Sequence, residues 1–192
     1  MKQRPIALRD DMDRPQRRAA CPAAALPANR SPLFDKQFRN LVRHIEDADG
    51  PRADGLRAVT RIMLSSAARA GELTRSVWED YDPDTGLFHG CREGRPLPLP
   101  TQAWQALAAF GGTPRLGAKA FPSSLALSSA FDAHARAVGI RGFRLCDLRS
   151  EAERRRADAP IIAAQSHELS RLPEGWRAQL RGLRQPGLPY GT

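Results

Sequence analysis

Lysine is nearly absent from this chain: Lys2, Lys36 and Lys119 are the only three among 30 basic side chains. Cysteine is scarce and odd in number, with Cys21, Cys91 and Cys146 far apart and in no CxxC or Cys/His ligand spacing. That argues against a disulfide framework and a zinc site and favours a reducing compartment, so the expected location is cytoplasmic. No run of about 18 apolar residues occurs, so no transmembrane helix and no membrane partner are expected. The stretch after Arg17-Arg18 is mostly alanine interrupted by Pro22 and Pro27, which is not the apolar core of a signal peptide. Aromatic residues make up only 6% of the chain.

What is present is arginine. The formal charge is +9, and arginine supplies nearly all of it. A basic balance favours a polyanionic partner, because each phosphate neutralised releases condensed counterions. An Ala/Arg/Pro-rich composition from a GC-rich genome would produce the same excess. The length of 192 residues with 41% hydrophobic side chains fits one domain plus a tail. Residues 1–30 hold seven basic and three acidic side chains, four prolines and almost no large apolar residue after Leu8, which reads as a disordered basic tail.

From residue 31 the apolar spacing is helical. Leu33, Phe34, Phe38, Leu41, Val42 and Ile45 predict a first helix opened by Ser31-Pro32 and ended by Asp49-Gly50-Pro51. Leu56, Val59, Ile62, Met63 and Ala67 predict a second from about Ala53, and Leu73 with Val77 a short third. Between Tyr81 and Leu99 the period changes: Asp82-Pro83-Asp84-Thr85-Gly86 is a turn signal, and a hairpin at Glu93-Gly94 joins two short arms. Pro96 and Pro98 remove alternate donors, so the second arm is an edge. Thr101 is placed to cap a helix carrying Trp104, Leu107 and Phe110, and Ser128 or Ser129 to cap one carrying Phe131, Ala135 and Val138. The expected fold class is mainly α with a small antiparallel β-sheet (α+β).

Two stretches carry chemistry. In the first, Ala68-Arg69-Ala70-Gly71-Glu72-Leu73 is followed five residues on by Trp78-Glu79-Asp80-Tyr81-Asp82. In the second, Phe143-Arg144-Leu145-Cys146-Asp147-Leu148-Arg149 follows the short element Phe121-Pro122-Ser123. This order of parts resembles the catalytic domain of the tyrosine recombinase (phage integrase) family. The resemblance implies the fold of that domain over residues 31–192, double-stranded DNA as partner, a possible homo- or hetero-oligomer on DNA, no metal or other cofactor, and no small-molecule substrate. Arg69 and Arg149 stand where the family has its two phosphate-binding arginines, and Glu72 where it has a buttress. Arg95 to Leu99 keeps the family's second hairpin arm, which adds Arg95 to the expected DNA contacts.

The sequence also departs from the family. Arg92 stands about where a catalytic lysine would be; it still holds a phosphate but, with a pKa above about 12, is a poor proton donor. Cys146 occupies the position of the box histidine; it is either a thiol acidified by a helix start or a small buried residue. From about residue 150 the chain diverges, with Glu151, Glu153, Arg154, Arg155 and Arg156 where the family's helix shows an apolar face. His167, the expected third phosphate ligand or else a solvated loop histidine, lies 18 residues after Arg149 where the family has about 23. The family's nucleophilic tyrosine falls at Trp176, and the only downstream tyrosine is Tyr190, in a terminal segment that reaches a site, reaches a neighbour's site, or does neither. The expected function is therefore DNA binding of the integrase type with strand cleavage impaired or lost. The alternatives are a working site-specific recombinase using Tyr190, and an interaction module that no longer binds DNA.

Overall fold

Both long N-terminal helices begin at a proline, whose fixed φ suits the first helical turn. They are α1 (Pro32–Glu46) and α2 (Pro51–Ser66). The structure, a computed structural model, describes residues 32–91, 94–110, 112–155 and 164–184; the expected tail over residues 1–30, Arg92 and Tyr190 lie outside the described residues. After α2 come α3 (Ala70–Leu73), a 3-10 turn at Trp78–Asp80, and strands β1 (Tyr81–Asp82), β2 (Leu87–Phe88) and β3 (Leu97–Pro98). Helices α4 (Thr101–Ala109), α5 (Ser124–Ala137), α6 (Asp147–Arg155), α7 (Ser166–Leu169) and α8 (Glu174–Leu183) complete the described chain. The protein is thus mainly helical with one three-stranded antiparallel sheet, in the order β1-β2-β3. No helix among the described residues is long and apolar enough to cross a membrane.

Helix α2 is the hub, packing against α1, α4, α5 and α6. Its Leu56, Val59, Ile62 and Met63 are fully buried, and each such side chain contributes about 1.5–3 kcal/mol of transfer free energy. Gly55 permits the approach of the α5 side, since a β-carbon there would meet the Pro122 ring at 3.3 Å. In the same core Tyr81 packs on Phe88 with ring centres 4.9 Å apart; Trp104 meets Tyr81 edge to face, Trp78 meets it at a tilt, and Trp176 stands edge to face against Trp78 and Trp104.

The sheet is minimal. Tyr81 pairs with Phe88 and Leu87 with Pro98. Pro98 lies on the outer strand β3, where its missing N–H costs no ladder bond. Helix α8 is fastened to the β1–β2 turn by ion pairs from Arg181 to Asp84 at 2.8 Å and from Arg184 to Asp82 at 3.2 Å.

Several boundaries differ from the sequence expectation. Val77 is not helical; it forms an antiparallel bridge with Lys119, because α3 stops at Leu73 and the chain then turns outward. Thr101 is the first residue of α4 rather than its cap, and its hydroxyl donates to Glu168 Oε2 at 2.7 Å, tying α4 to α7. Neither Ser128 nor Ser129 caps α5. Ser123 does, accepting from the Ala126 N–H at 3.4 Å, so the helix starts several residues earlier.

The charged run in α6 has a different physical meaning from the expected loss of an apolar face. Leu148 and Ala152 still face the core, and Glu151 between them is fully buried. Its carboxylate accepts from Arg154 Nη2 at 2.7 Å and Arg155 Nε at 2.6 Å, and Arg154 reaches on to Asp35 of α1 at 3.1 Å. The Arg155 guanidinium also lies 4.4 Å over the Phe38 ring. The charges snorkel around the helix and pin it to α1.

Candidate nucleic-acid interface

The turn that follows α2 begins with a backbone irregularity. Ala67 adopts φ 51°, the only positive φ at a non-glycine position among the described residues. A left-handed alanine costs roughly 1–2 kcal/mol. It is held by its N–H bond to Met63 O at 2.8 Å and by the buried Ser66, whose hydroxyl donates to Ile62 O at 2.6 Å. The reversal ends α2 and directs the next residues, Ala68 and Arg69, toward the outer strand.

Arg69 then caps α3 together with Glu72. The Glu72 carboxylate, 7% exposed, accepts from the Arg69 backbone N–H at 3.2 Å and from Arg69 Nη1 at 3.4 Å. One buried carboxylate therefore orients both ends of Arg69, while the guanidinium stays 45% exposed. Arg149 is delivered from another direction, by the first turn of α6. Its Nε donates to Glu153 Oε1 at 2.7 Å, one turn along the same helix.

These residues converge. A cavity of about 330 Å³ is lined by Arg69, Glu72 and Arg149 together with Arg95, Cys91 and the β3 segment Pro96–Pro98. Three guanidiniums from three separated stretches thus face one concavity whose single lining carboxylate is already bonded to Arg69. Arg149 stands in the first turn of α6, at the positive end of that helix's macrodipole, which favours an anion. The arrangement suits a multiply hydrogen-bonded anion, because guanidinium forks match phosphate geometry.

The proton-handling groups do not gather there. Among the described lining residues there is no histidine, lysine or tyrosine. His167, expected as a third ligand, is not among them; it is exposed on the short helix α7, whose neighbour Glu168 is engaged with Thr101. Cys146 is half-buried with its thiol 3.8 Å from Asp147 Oδ1, and Asp147 caps the turn by accepting from the Arg144 N–H at 2.8 Å. Trp176 packs inward, its ring 6.4 Å from those of both Trp78 and Trp104. Tyr81 is wholly buried and bonded to the Ser76 hydroxyl at 2.9 Å; burial pushes its phenol far above the ordinary range. Of the two tyrosines in the chain, one is therefore sealed, and Tyr190, like Arg92, lies outside the described residues.

Sequence reasoning missed Ala67 and Cys91 as walls of this cavity. A positive φ at alanine carries no local signal, and a lone cysteine in a loop carries none either. Glu153 was reachable, since it stands four residues from Arg149 at ion-pair spacing. No protein-family model matches the chain, and no curated protein or solved structure matches it either.

Proposed function

We propose that this protein binds double-stranded DNA in the manner of a tyrosine recombinase catalytic domain, through the backbone phosphates, and cleaves it poorly or not at all. The observation that carries the reading is the convergence of Arg69, Arg95 and Arg149 on one open cavity. Two of these are the arginines that the motif order singles out, and 80 residues separate them along the chain (149 minus 69).

Loss of cleavage is supported by what stands where the chemistry would be. Strand cleavage by this family's route needs an accessible phenol to attack phosphorus and a group to protonate the leaving oxygen. Trp176 has no such oxygen, and Tyr81 is enclosed by Phe88, Trp78 and Trp104. Arginine is too weak an acid to replace a lysine or imidazole.

The test is a binding titration of the full chain with duplex DNA across a range of salt. Binding that weakens steeply with salt supports the reading, whereas a flat response or no binding means that the domain serves as an interaction module. A duplex carrying a nick beside the binding site, which traps any covalent intermediate, settles the second half. A trapped protein–DNA adduct that disappears in Tyr190→Phe would make the protein a working recombinase.

A further inference from the structure

His44, in the last turn of α1, and His134, in the last turn of α5, are two of the four histidines in the chain. Their imidazoles meet across the α1–α5 interface with ring centres 5.0 Å apart and planes inclined at 71°. Among the described residues neither ring has a hydrogen-bond or ion-pair partner. His44 is exposed and His134 half-buried, which leaves the pair open to solvent on one side.

Neutral imidazole is the commonest side-chain ligand for transition metals. Two imidazoles on one tetrahedral ion, with metal–nitrogen bonds of about 2.0–2.1 Å, hold their ring centres about 5 Å apart. The ring centres already stand at that separation, so an ion requires the rings to turn until a nitrogen of each faces it. We infer that His44 and His134 form a binding site for a divalent transition-metal ion of the zinc or nickel class, with water completing the coordination and the ion joining α1 to α5. Among the described residues no group of three or more His, Cys, Asp or Glu is placed to hold a metal, so the affinity falls well short of a four-ligand structural site. The inference is independent of the DNA reading.

A bound ion that favours the folded state raises the melting temperature. The experiment titrates the full chain with zinc chloride at pH 7.5 by calorimetry and records thermal melts with and without the ion. The expected result is one ion per chain and a rise of about 5–10 °C at a hundredfold excess over Kd. His44→Ala and His134→Ala, each with an unchanged far-ultraviolet circular dichroism spectrum, should weaken binding at least tenfold; His89→Ala and His167→Ala should leave it intact. Should an alanine variant misfold, His44→Gln and His134→Gln provide the same comparison with a polar side chain retained. No binding by the unmodified chain overturns the inference. So does binding that survives both the His44 and His134 variants, or that is abolished instead by Cys91→Ser or Cys146→Ser.

Discussion

Around the cavity, Arg69, Arg95 and Arg149 keep their guanidiniums in reach of solvent, whereas around α8 every aromatic side chain that has a polar atom turns inward. Among the described residues neither the Trp104 nor the Trp176 indole N–H, both buried, has a hydrogen-bond partner, and Tyr81 spends its hydroxyl on Ser76. The first region has its charges oriented by carboxylates, Glu72 under Arg69 and Glu153 beside Arg149, and so is prepared for an anion without further ordering. The second is prepared for nothing but stability. Binding and chemistry can part company in one fold because they draw on different side chains.

That contrast can be broken at its strongest point first. Trp104→Ala removes a fully buried indole, and the expected loss is about 3–5 kcal/mol in urea unfolding, with DNA affinity of the folded fraction unchanged. A loss below about 1 kcal/mol would mean that the aromatic cluster is not core. Glu151→Ala comes next, at about 3 kcal/mol, the lower end for breaking a buried ion pair because its two arginines reach solvent. Burial pushes the Glu151 carboxyl up, but the hydrogen bonds and charges of Arg154 and Arg155 outweigh it and hold the carboxyl below its usual value. Its folded pKa is thus depressed, so its contribution is complete above the unfolded carboxylate pKa of about 4.3 and is lost as pH falls through the folded value. Melting temperatures of the wild type and the variant should therefore converge in acid and separate above it.

The cavity side responds more gently. Arg69→Ala and Arg149→Ala should each weaken duplex binding about tenfold, roughly 1.4 kcal/mol, and reduce the slope of log affinity against log salt by about 0.9, with little change in stability. Unchanged affinity in both would remove the phosphate site. The smallest expected effect is the sharpest control: Trp176→Tyr restores a phenol at the expected position, yet should yield no covalent adduct on a nicked duplex, because the residue faces Trp78 and Trp104 rather than the cavity.

How much of this was legible differs by element. The periodicity of Leu56, Val59, Ile62 and Met63 predicted α2 to within a few residues, and all four are fully buried. Pro96 and Pro98 marked an edge strand, and β3 is the outer strand of the sheet. The caps were less readable. Thr101 and Ser123 are both competent N-cap residues, but α4 begins one residue earlier than expected, which puts Thr101 inside the helix and its hydroxyl on Glu168, while Ser123 caps α5. At the site, Arg69 and Arg149 were chosen from motif order, and both line the cavity, as does Arg95. His167 does not; it was singled out by its spacing from Arg149, and spacing alone does not say where a loop or short helix will lie.

Local pattern alone, then, determined where the chain would be helical, where it would turn, and which arginines stood out, because those properties depend on neighbours three or four residues away. Only the tertiary structure decided that Arg69, Arg95 and Arg149 share one opening, that Glu151 is a buried ion rather than a surface charge, and that Trp176 packs against the core. Each of these depends on contacts between segments distant in sequence, such as Asp35 with Arg154 or Trp78 with Trp176. Such contacts are set by the shape and volume of packed helices, which no local spacing encodes.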